Sequence, residues 1–256
     1  MPGVAPHHLF SPAGEATLAA VLLQRPLLAF DFDGTLAPIV ARPQDARPAQ
    51  AVSARLAQLA ALLPLAIITG RRVDDVRTRL GFEPQFIVGN HGAEEDGLAP
   101  DEAALAAMAR QRARITTHRP ALLEAGVTIE DKGASIALHY RLSRTREEAL
   151  QAIAGLLAAR DDALHVFGGK LVVNIAPRLA RDKAQAVRSL MQRAGTTSLV
   201  FAGDDVNDEP VFEAAQPGWL TVRVGRDDPR SHAMFCLDSP GQMPLLLDRM
   251  LALLAR

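Results

Sequence analysis

Short apolar runs alternate with stretches of helical periodicity over most of the chain. The apolar runs predict strands at Leu27–Phe30, Leu65–Ile68, Phe86–Val88, Leu199–Ala202 and Thr221–Val224. The periodic stretches predict helices at Ala16–Leu23, Ala49–Leu63, Val73–Leu80, Lys183–Ala194 and Glu209–Ala215. Apolar strands that alternate with helices are typical of parallel sheets covered on both faces. The pattern therefore predicts an α/β fold, with a Rossmann-like parallel-sheet core and helices on both faces.

The pattern changes in the middle of the chain. A helix at Asp101–His118, ended by Pro120, precedes two strands at Val127–Asp131 and Ser135–Arg141. A second helix at Arg144–Arg160 precedes a hairpin of Leu164–Phe167 and Leu171–Ile175 around Gly168-Gly169. This order is typical of an α+β layer. We therefore predict an inserted α+β domain at residues 98–176, within a core made of residues 1–97 and 177–256. Residues Met1–Ala13, with three prolines and no periodicity, predict a loose tail.

Composition excludes several classes of protein. Of the 256 residues, 48% are hydrophobic and 22% charged, which excludes wholesale disorder. The net charge of -1 gives no basic excess, so neither nucleic acid nor an anionic membrane is expected as a partner. The longest uncharged apolar stretch, Leu56–Gly70, contains Pro64 and is shorter than the ~20 residues of a membrane span. The single cysteine, Cys236, excludes an intrachain disulfide and cysteine-based zinc sites, and it fits a cytoplasmic location.

Two carboxylates follow the first predicted core strand. Asp31 and Asp33 flank Phe32 and precede Gly34 and Thr35. In open α/β sheets, ligands bind at this end of the strands. Two carboxylates so close together repel each other unless a cation or protons compensate, so the pair indicates a divalent metal. The alternative is a solvated acidic turn.

Thr69-Gly70-Arg71 and Lys183 stand at two further ends of predicted elements. Thr69 follows an apolar strand, and its hydroxyl and the following amides can face an anion. Lys183 begins a helix, where a cation opposes the helix dipole unless an anionic ligand lies there. A threonine helix cap and a surface lysine are the simpler alternatives.

The densest acidic segment follows the predicted strand Leu199–Ala202. It reads Gly203-Asp204-Asp205-Val206-Asn207-Asp208-Glu209. Mg²⁺ prefers oxygen ligands and usually keeps several waters. Asp204 could therefore join Asp31 at one ion, with Asp208 holding metal-bound water. The alternative is an acidic loop that caps the helix beginning near Glu209.

Taken in order, these motifs resemble the haloacid dehalogenase superfamily of aspartate-nucleophile phosphatases, from Leu27 to the C-terminal region. The resemblance implies that Asp31 is the nucleophile and that Asp33 is the acid and base, protonated when substrate binds. It implies that Thr69 and Lys183 stabilise the phosphoryl group. It also implies Mg²⁺ as the cofactor, held by Asp31, Asp33 through its backbone carbonyl, and Asp204. Asp205, Asn207 and Asp208 are then expected around those ligands, and the inserted α+β domain is expected to be a cap domain for sugar phosphates.

Four further segments resemble trehalose-6-phosphate phosphatases: Gly89–Glu94, Glu130–Gly133, Leu138–Arg141 and Gly169–Val173. The resemblance implies a Mg²⁺-dependent phosphatase that hydrolyses trehalose 6-phosphate through an aspartyl phosphate, with functional coupling to a trehalose-6-phosphate synthase. The substrate-binding residues that we predict are Arg71, Asn90, His91, Glu130, Lys132, Arg141, Lys170 and Asn174.

The sequence leaves three alternatives open. The family has glutamate and arginine in the last cap strand where this chain has Asn174 and Ala176. The chain could therefore be a capped phosphatase that acts on another sugar phosphate. The charged residues of the cap strands could also lie on a solvated sheet face. A non-catalytic sugar-phosphate sensor is the candidate from another class, although it would need neither Asp31 nor Asp33.

Overall fold

The computed structural model describes residues 6–40, 42–95, 102–178, 182–226 and 228–255. Its contacts divide the chain into one unit of Met1–Gly92 with Asp182–Arg256 and a second unit of Ala93–Arg181. The predicted boundaries at 98 and 176 lie five residues inside the second unit. On the C-terminal side, Arg178 still belongs to this unit because its backbone and side chain donate to the carbonyls of Ala163 and Asp162.

The helices and strands are numbered in chain order. The strands are β1 (His7–His8), β2 (Leu27–Phe30), β3 (Leu65–Ile68), β4 (Phe86–Gly89), β5 (Glu94–Glu95), β6 (Thr128–Asp131), β7 (Ile136–His139), β8 (Leu164–Gly169), β9 (Val172–Pro177), β10 (Leu199–Gly203), β11 (Trp219–Val224) and β12 (Phe235–Leu237). The helices are α1 (Pro12–Leu22), α2 (Gln50–Ala60), α3 (Val73–Leu80), α4 (Glu102–Glu124), α5 (Arg146–Leu157), α6 (Lys183–Ala194), α7 (Glu209–Glu213) and α8 (Met243–Leu254). Among the described residues, no helix is both long enough and apolar enough to cross a membrane.

The first unit contains the predicted parallel sheet, with strands in the order β1-β12-β11-β10-β2-β3-β4. Alternate residues of β2 enter two separate cores. Leu28 and Phe30 pack with residues of α1, α2, α3 and α8, whereas Leu27 and Ala29 pack with residues of α6 and α7. Helices therefore cover both faces, and the predicted fold class is confirmed.

The N-terminal segment differs from the predicted loose tail. His7 and His8 form β1, which pairs in parallel with β12, and α1 begins at Pro12. The side chain of Ser11 caps this helix by accepting a hydrogen bond from the backbone N–H of Gly14. A strand of two residues has too little hydrophobic pattern to be recognised in a sequence. Residues 1–5 of the predicted tail lie outside the described residues.

The second unit contains an antiparallel sheet in the order β6-β7-β9-β8. Successive side chains along its strands point to opposite faces. One face is apolar and packs with α4 and α5, and the other carries polar side chains. The predicted order of helices and strands is present, but two details are wrong. Pro120 lies inside α4, because the buried face of this helix continues to Leu122. Gly168 and Gly169 lie in β8, and the hairpin turns at Lys170 and Leu171, where Leu171 has a φ of 60°.

Candidate active site

Three neighbouring strands of the first unit end in the predicted polar residues. Because β2 pairs in parallel with both β3 and β10, their carboxyl ends lie along one edge of the sheet. Asp31 follows β2, Thr69 follows β3 and Asp204 follows β10. All three residues are buried. The topology therefore brings together side chains that are as far as 173 positions apart in the sequence.

Lys183 joins two of the buried carboxylates. Its Nζ lies 2.6 Å from Asp31 Oδ1 and 2.6 Å from Asp208 Oδ1, and its side chain is 3% exposed. Burial acts to lower the pKa of Lys183, but the two carboxylates raise it more, so the ammonium group stays charged. Lys183 begins α6, as predicted, but it is not a surface lysine. The anions that it faces at the start of this helix are side chains of the protein.

One ammonium group does not balance the negative charge around it. Asp31, Asp204 and Asp208 each offer an oxygen, and these oxygens lie within 4.8 Å of one another. Burial raises the pKa of Asp31 well above its usual value, and the carboxylates of Asp208 and Asp204 raise it further, against the opposing effect of Lys183. A cation bound to these oxygens would relieve that repulsion. The three buried aspartates could therefore hold a metal ion.

The chain makes room for this carboxylate group at Gly34, which has a φ of 85°. A Cβ at this position would collide with the carboxylate of Asp204. Glycine thus serves here both the left-handed turn and the close approach of the acid. An oxygen-only donor set with a glycine beside it suits a hard cation such as Mg²⁺.

Asp208 organises the acidic loop around the carboxylate group. Its Oδ2 accepts hydrogen bonds from the backbone N–H groups of Asp204 at 2.9 Å and Asp205 at 3.0 Å. Asp205 in turn accepts from the backbone N–H of Val206 and the side-chain amide of Asn207. Asp204 and Asp208 therefore belong to the carboxylate group, and Asp205 caps the short turn Val206–Asp208. The alternative, an acidic loop that caps the helix beginning at Glu209, is wrong, because the side chain of Asp208 makes no capping hydrogen bond to α7.

Asp33 lies outside that carboxylate group and forms a two-point ion pair with Arg71. The Nε and Nη2 atoms of Arg71 lie 2.7 Å from Asp33 Oδ2 and Oδ1, respectively. The guanidinium group also lies over the ring of Phe32, 5.3 Å from its centroid. The side chain of Asp33 is 40% exposed, whereas that of Arg71 is 10% exposed. Arg71, predicted to bind substrate, thus contacts the second aspartate of the motif, and its contact with substrate stays a prediction.

Thr69 does not cap a helix, which excludes the simpler interpretation of this residue. Helix α3 begins at Val73, whereas the hydroxyl of Thr69 accepts from the backbone N–H of Arg71 at 3.1 Å. The backbone carbonyl of Thr69 accepts a hydrogen bond from the backbone N–H of His91 at 2.9 Å. The backbone carbonyl of Arg71 accepts one from the backbone N–H of Asn90 at 2.8 Å. These bonds hold the segment after β4 against the segment after β3.

Asn90 and His91 both have left-handed backbone conformations, with φ values of 50° and 58°. Non-glycine residues adopt this conformation at a cost, and such strain often accompanies function. The ring of His91 lies where a Cβ on Gly70 would be, so only glycine fits at position 70. The structure therefore places both predicted residues in a strained segment beside Thr69.

The second unit places the predicted sugar-binding residues on the polar face of its sheet. The strand register aligns Glu130, Ala137, Asn174 and Phe167 in one row across the four strands. Glu130 Oε2 lies 2.8 Å from His139 Nε2 and 3.8 Å from Lys132 Nζ. Lys132 is only 11% exposed at its side chain and Asn174 is buried, whereas the side chain of Glu130 is 45% exposed and Arg141 is exposed. The solvated-face alternative therefore fits Glu130 and Arg141 but not Lys132.

Two more predicted residues lie on the hairpin side of the same sheet. Arg141 Nη2 donates to the backbone carbonyl of Lys170 at 3.4 Å. The sequence analysis assigned no role to His139, whose ring is hydrogen-bonded to Glu130 in the structure. The sequence contained a signal for it, because His139 stands in the motif Leu138–Arg141 and shares a face with Arg141 in the predicted strand Ser135–Arg141.

Comparison with known proteins decides the family. A family model described as trehalose-phosphatase matches residues 29–224 of this chain. The chain belongs to the trehalose-phosphatase family. It is 34% identical over 247 residues to the trehalose-phosphate phosphatase of Mycobacterium avium (strain 104), covering 89% of this chain and 62% of that protein. It is 35% identical over 236 residues to that of Mycobacterium ulcerans (strain Agy99), covering 86% and 60%. The chain thus spans about three fifths of the length of these curated relatives of the trehalose-phosphatase family.

Solved structures support the fold of this trehalose-phosphatase family member. The C-terminal domain of C. albicans trehalose-6-phosphate phosphatase matches with a TM-score of 0.79 at 21% identity, covering 100% of this chain and 99% of that one. A sucrose-phosphatase from Synechocystis matches with a TM-score of 0.57 at 18% identity, covering 89% and 98%. A haloacid dehalogenase-like hydrolase from Bacteroides thetaiotaomicron matches with a TM-score of 0.64 at 14% identity, covering 88% and 99%. At these identities the likeness concerns the fold alone.

Proposed function

We propose that the chain is a Mg²⁺-dependent phosphatase that hydrolyses trehalose 6-phosphate to trehalose and phosphate through an aspartyl phosphate. The observation that carries this proposal is the pairing of buried Asp31 with Lys183, beside two further carboxylates. A phosphoryl group carries several negative oxygens, and catalysis of its transfer depends mainly on positioning and on charge stabilisation. Family membership supplies the substrate class, and the curated relatives carry the trehalose-phosphate phosphatase name.

In the proposed mechanism, an oxygen of Asp31 attacks phosphorus in line with the leaving sugar oxygen. The bond from Asp31 to phosphorus forms as the bond from phosphorus to the sugar oxygen breaks, which is a known covalent strategy of carboxylates. Lys183 and the hydroxyl of Thr69 stabilise the oxygens of the moving phosphoryl group. Asp31 and Asp204 would hold Mg²⁺, which supplies further charge neutralisation when bound.

Asp33 serves both halves of the proposed reaction. As acid it donates a proton to the departing sugar oxygen, and as base it takes a proton from the water that hydrolyses the aspartyl phosphate. Arg71 donates to both oxygens of Asp33 and so holds its carboxyl group in one orientation. In the acid half, one oxygen of Asp33 carries the proton while the other can still accept from Arg71.

Sugar recognition belongs to the second unit in this proposal. Sugars are recognised by many directional hydrogen bonds from groups held on rigid elements. The proposed sugar contacts are Glu130, Lys132, Arg141, Lys170 and Asn174, with Arg71, Asn90 and His91 from the first unit. We also infer a cytoplasmic reaction, coupled to a synthase that forms the sugar phosphate.

A second candidate function is hydrolysis of a different sugar phosphate. Asn174 favours this candidate, because an amide replaces the carboxylate of the family on a buried position of the polar sheet face. An amide both donates and accepts hydrogen bonds, whereas a carboxylate only accepts, so the pattern of sugar hydroxyls that fits can differ.

Phosphate release from a panel of trehalose, sucrose and glucose 6-phosphates, with analysis of the sugar products, tests the proposal. We expect trehalose 6-phosphate to have the highest kcat/KM, with Mg²⁺ required and activity lost after exhaustive chelation. Preference for another member of the panel would establish the second candidate. Full activity after chelation would contradict the proposed Mg²⁺ requirement. Transfer of the phosphoryl group to another position of the sugar would indicate a mutase.

A further inference from the structure

Asp75 forms an ion-pair network behind the acid–base residue of the proposed reaction. It lies in the first turn of α3, four residues after Arg71 and four residues before Arg79. Arg71 Nη1 donates to Asp75 Oδ2 at 2.9 Å, and Arg79 Nε donates to the same oxygen at 3.0 Å. Arg79 Nη2 bonds to Asp75 Oδ1. Both oxygens of Asp75 therefore accept from guanidinium groups. Arg71 contacts Asp75 through Nη1 and contacts Asp33 through Nε and Nη2.

The same network fixes a nearby loop. Arg71 Nη2 donates to the backbone carbonyl of Pro43 at 2.7 Å, and Arg79 bonds to the backbone carbonyl of Gln44. Both carbonyls belong to the short helical turn Pro43–Asp45. The side chains of Arg71 and Arg79 are about one-tenth exposed. The guanidinium group of Arg71 is thus also held by Asp75 and by the carbonyl of Pro43, apart from its pair with Asp33.

The charge of Asp75 makes this arrangement possible. Partial burial acts to raise the pKa of Asp75, but hydrogen bonds from Arg79 and Arg71 lower it below its usual value, so the carboxylate is ionised at neutral pH. Without that negative charge, the guanidinium groups of Arg71 and Arg79, which both bond to Asp75 Oδ2, would repel each other. Their guanidinium groups would then separate, and the two parallel bonds from Arg71 to Asp33 would lose their geometry.

We propose that Asp75 is a positioning residue, which orients the carboxyl group of Asp33 through the guanidinium group of Arg71. This inference rests on the proposed function, because Asp75 matters only if Asp33 is the acid that protonates the leaving group. Proton transfer needs the acid within hydrogen-bond reach of the sugar oxygen. A misplacement of about 1 Å can lower the rate about 10²-fold. Asp75 touches neither the substrate nor the reacting atoms and acts only through Arg71.

The test uses two substrates that differ in their need for an acid. An alkyl phosphate such as trehalose 6-phosphate must protonate its leaving group, whereas p-nitrophenyl phosphate releases a stable anion. The measured quantity is kcat/KM, because it excludes the later hydrolysis of the aspartyl phosphate. For Asp75→Asn, we expect kcat/KM to fall about 10- to 100-fold on trehalose 6-phosphate and to stay within about 2-fold on p-nitrophenyl phosphate.

Two further variants separate positioning from folding. Asp75→Glu keeps the charge, and we expect it to retain more alkyl phosphate activity than Asp75→Asn. Asp248→Asn is the matched control, because Asp248 forms a comparable two-point pair with Arg55, at 2.6 and 2.9 Å, on a different helix of the same unit. We expect this control to leave kcat/KM unchanged for both substrates.

The inference is overturned if Asp75→Asn lowers kcat/KM equally for both substrates, since that outcome indicates a structural role. It is also overturned if kcat/KM falls for neither substrate. Failure of the proposed function is read separately, from the wild-type protein. If the wild type prefers another sugar phosphate, the named substrate is wrong, and the selective loss is measured on that sugar phosphate. If the wild type hydrolyses p-nitrophenyl phosphate but no alkyl phosphate, both proposals are contradicted.

Discussion

The carboxylate site of the first unit and the polar sheet face of the second differ in how their charges are balanced. In the first unit, Lys183 is almost fully buried between Asp31 and Asp208, and every group depends on another that is distant in the sequence. In the second unit, Glu130 is 45% exposed and pairs with Lys132, which directly follows β6, and with His139 on β7. Removing a partner from the first site leaves a buried charge, whereas removing one from the second leaves a group that water can reach. The first region is therefore suited to a fixed chemistry and the second to variation in the ligand.

Substitution of the proposed nucleophile, Asp31, gives the largest expected effect. If turnover did not fall, the contrast between a chemical site in the first unit and a ligand-binding face in the second would be wrong. Asp31→Asn keeps the size of the side chain and can still face Lys183, so the fold should persist with a Tm close to that of the wild type. Turnover should fall by more than the 10²–10⁴-fold that removal of an acid or base alone costs. Phosphate release and a thermal melt measure both results. Near-wild-type turnover would exclude Asp31 as the nucleophile.

Lys183→Met tests the balance of buried charge directly. It leaves Asp31 and Asp208 facing each other without a cation, so we expect a loss of about 3–5 kcal/mol in the free energy of unfolding, together with loss of activity. Arg55→Met removes a cation from the more exposed Arg55–Asp248 pair and should cost about 1 kcal/mol or less. Denaturant unfolding compares the two variants. Equal costs would mean that the buried site is no more dependent on its cation than the surface is.

Glu130→Ala sharpens the second half of the comparison. We expect kcat/KM to fall about 10- to 150-fold on trehalose 6-phosphate, the value of a hydrogen bond to a charged group, with little change on p-nitrophenyl phosphate. Asp131→Ala is the matched control, because Asp131 is the next residue of β6, points to the opposite face and pairs with Arg112. An equal fall on both substrates would assign Glu130 a structural role.

Gln111 gives the smallest expected effect. It is fully buried on α4, and neither of its amide atoms has a hydrogen-bond partner among the described residues. Gln111→Met has a similar size without the unsatisfied amide, so the free energy of unfolding should rise by about 1 kcal/mol. Gln151, which is exposed on α5, is the control position for the same substitution. A lower stability in Gln111→Met but not in Gln151→Met would contradict this assignment.

The parts of the fold that could be predicted are those whose hydrophobic pattern is complete within a few residues. Strands β2 and β3 and helices α3 and α6 have the predicted bounds, because each is a continuous apolar run or a regular amphipathic stretch. The parts that could not be predicted depend on tertiary contacts. Strand β1 exists only through its pairing with β12, and α4 continues past Pro120 because Leu122 remains buried.

The candidate site divides in the same way. Asp31, Thr69, Lys183 and Asp204 could be found because each stands at the end of a strand or the start of a helix, where ligands bind in such sheets. Asp75 could not be assigned from its position alone, since an acid in the first turn of a helix is explained by the helix dipole. Only the bonds from Arg71 and Arg79 relate it to Asp33.

The central claim is that Asp31 accepts the phosphoryl group, and trapping of that intermediate tests it most directly. The protein is mixed with trehalose 6-phosphate and Mg²⁺, quenched in acid within the first turnover, reduced with borohydride and mapped by mass spectrometry. The account predicts that Asp31 is reduced to homoserine, since borohydride reduces an acyl phosphate but not a free carboxylate, and that Asp31→Asn gives no such product. A trapped product at a different residue, or turnover that leaves Asp31 unmodified at every quench time, would contradict it.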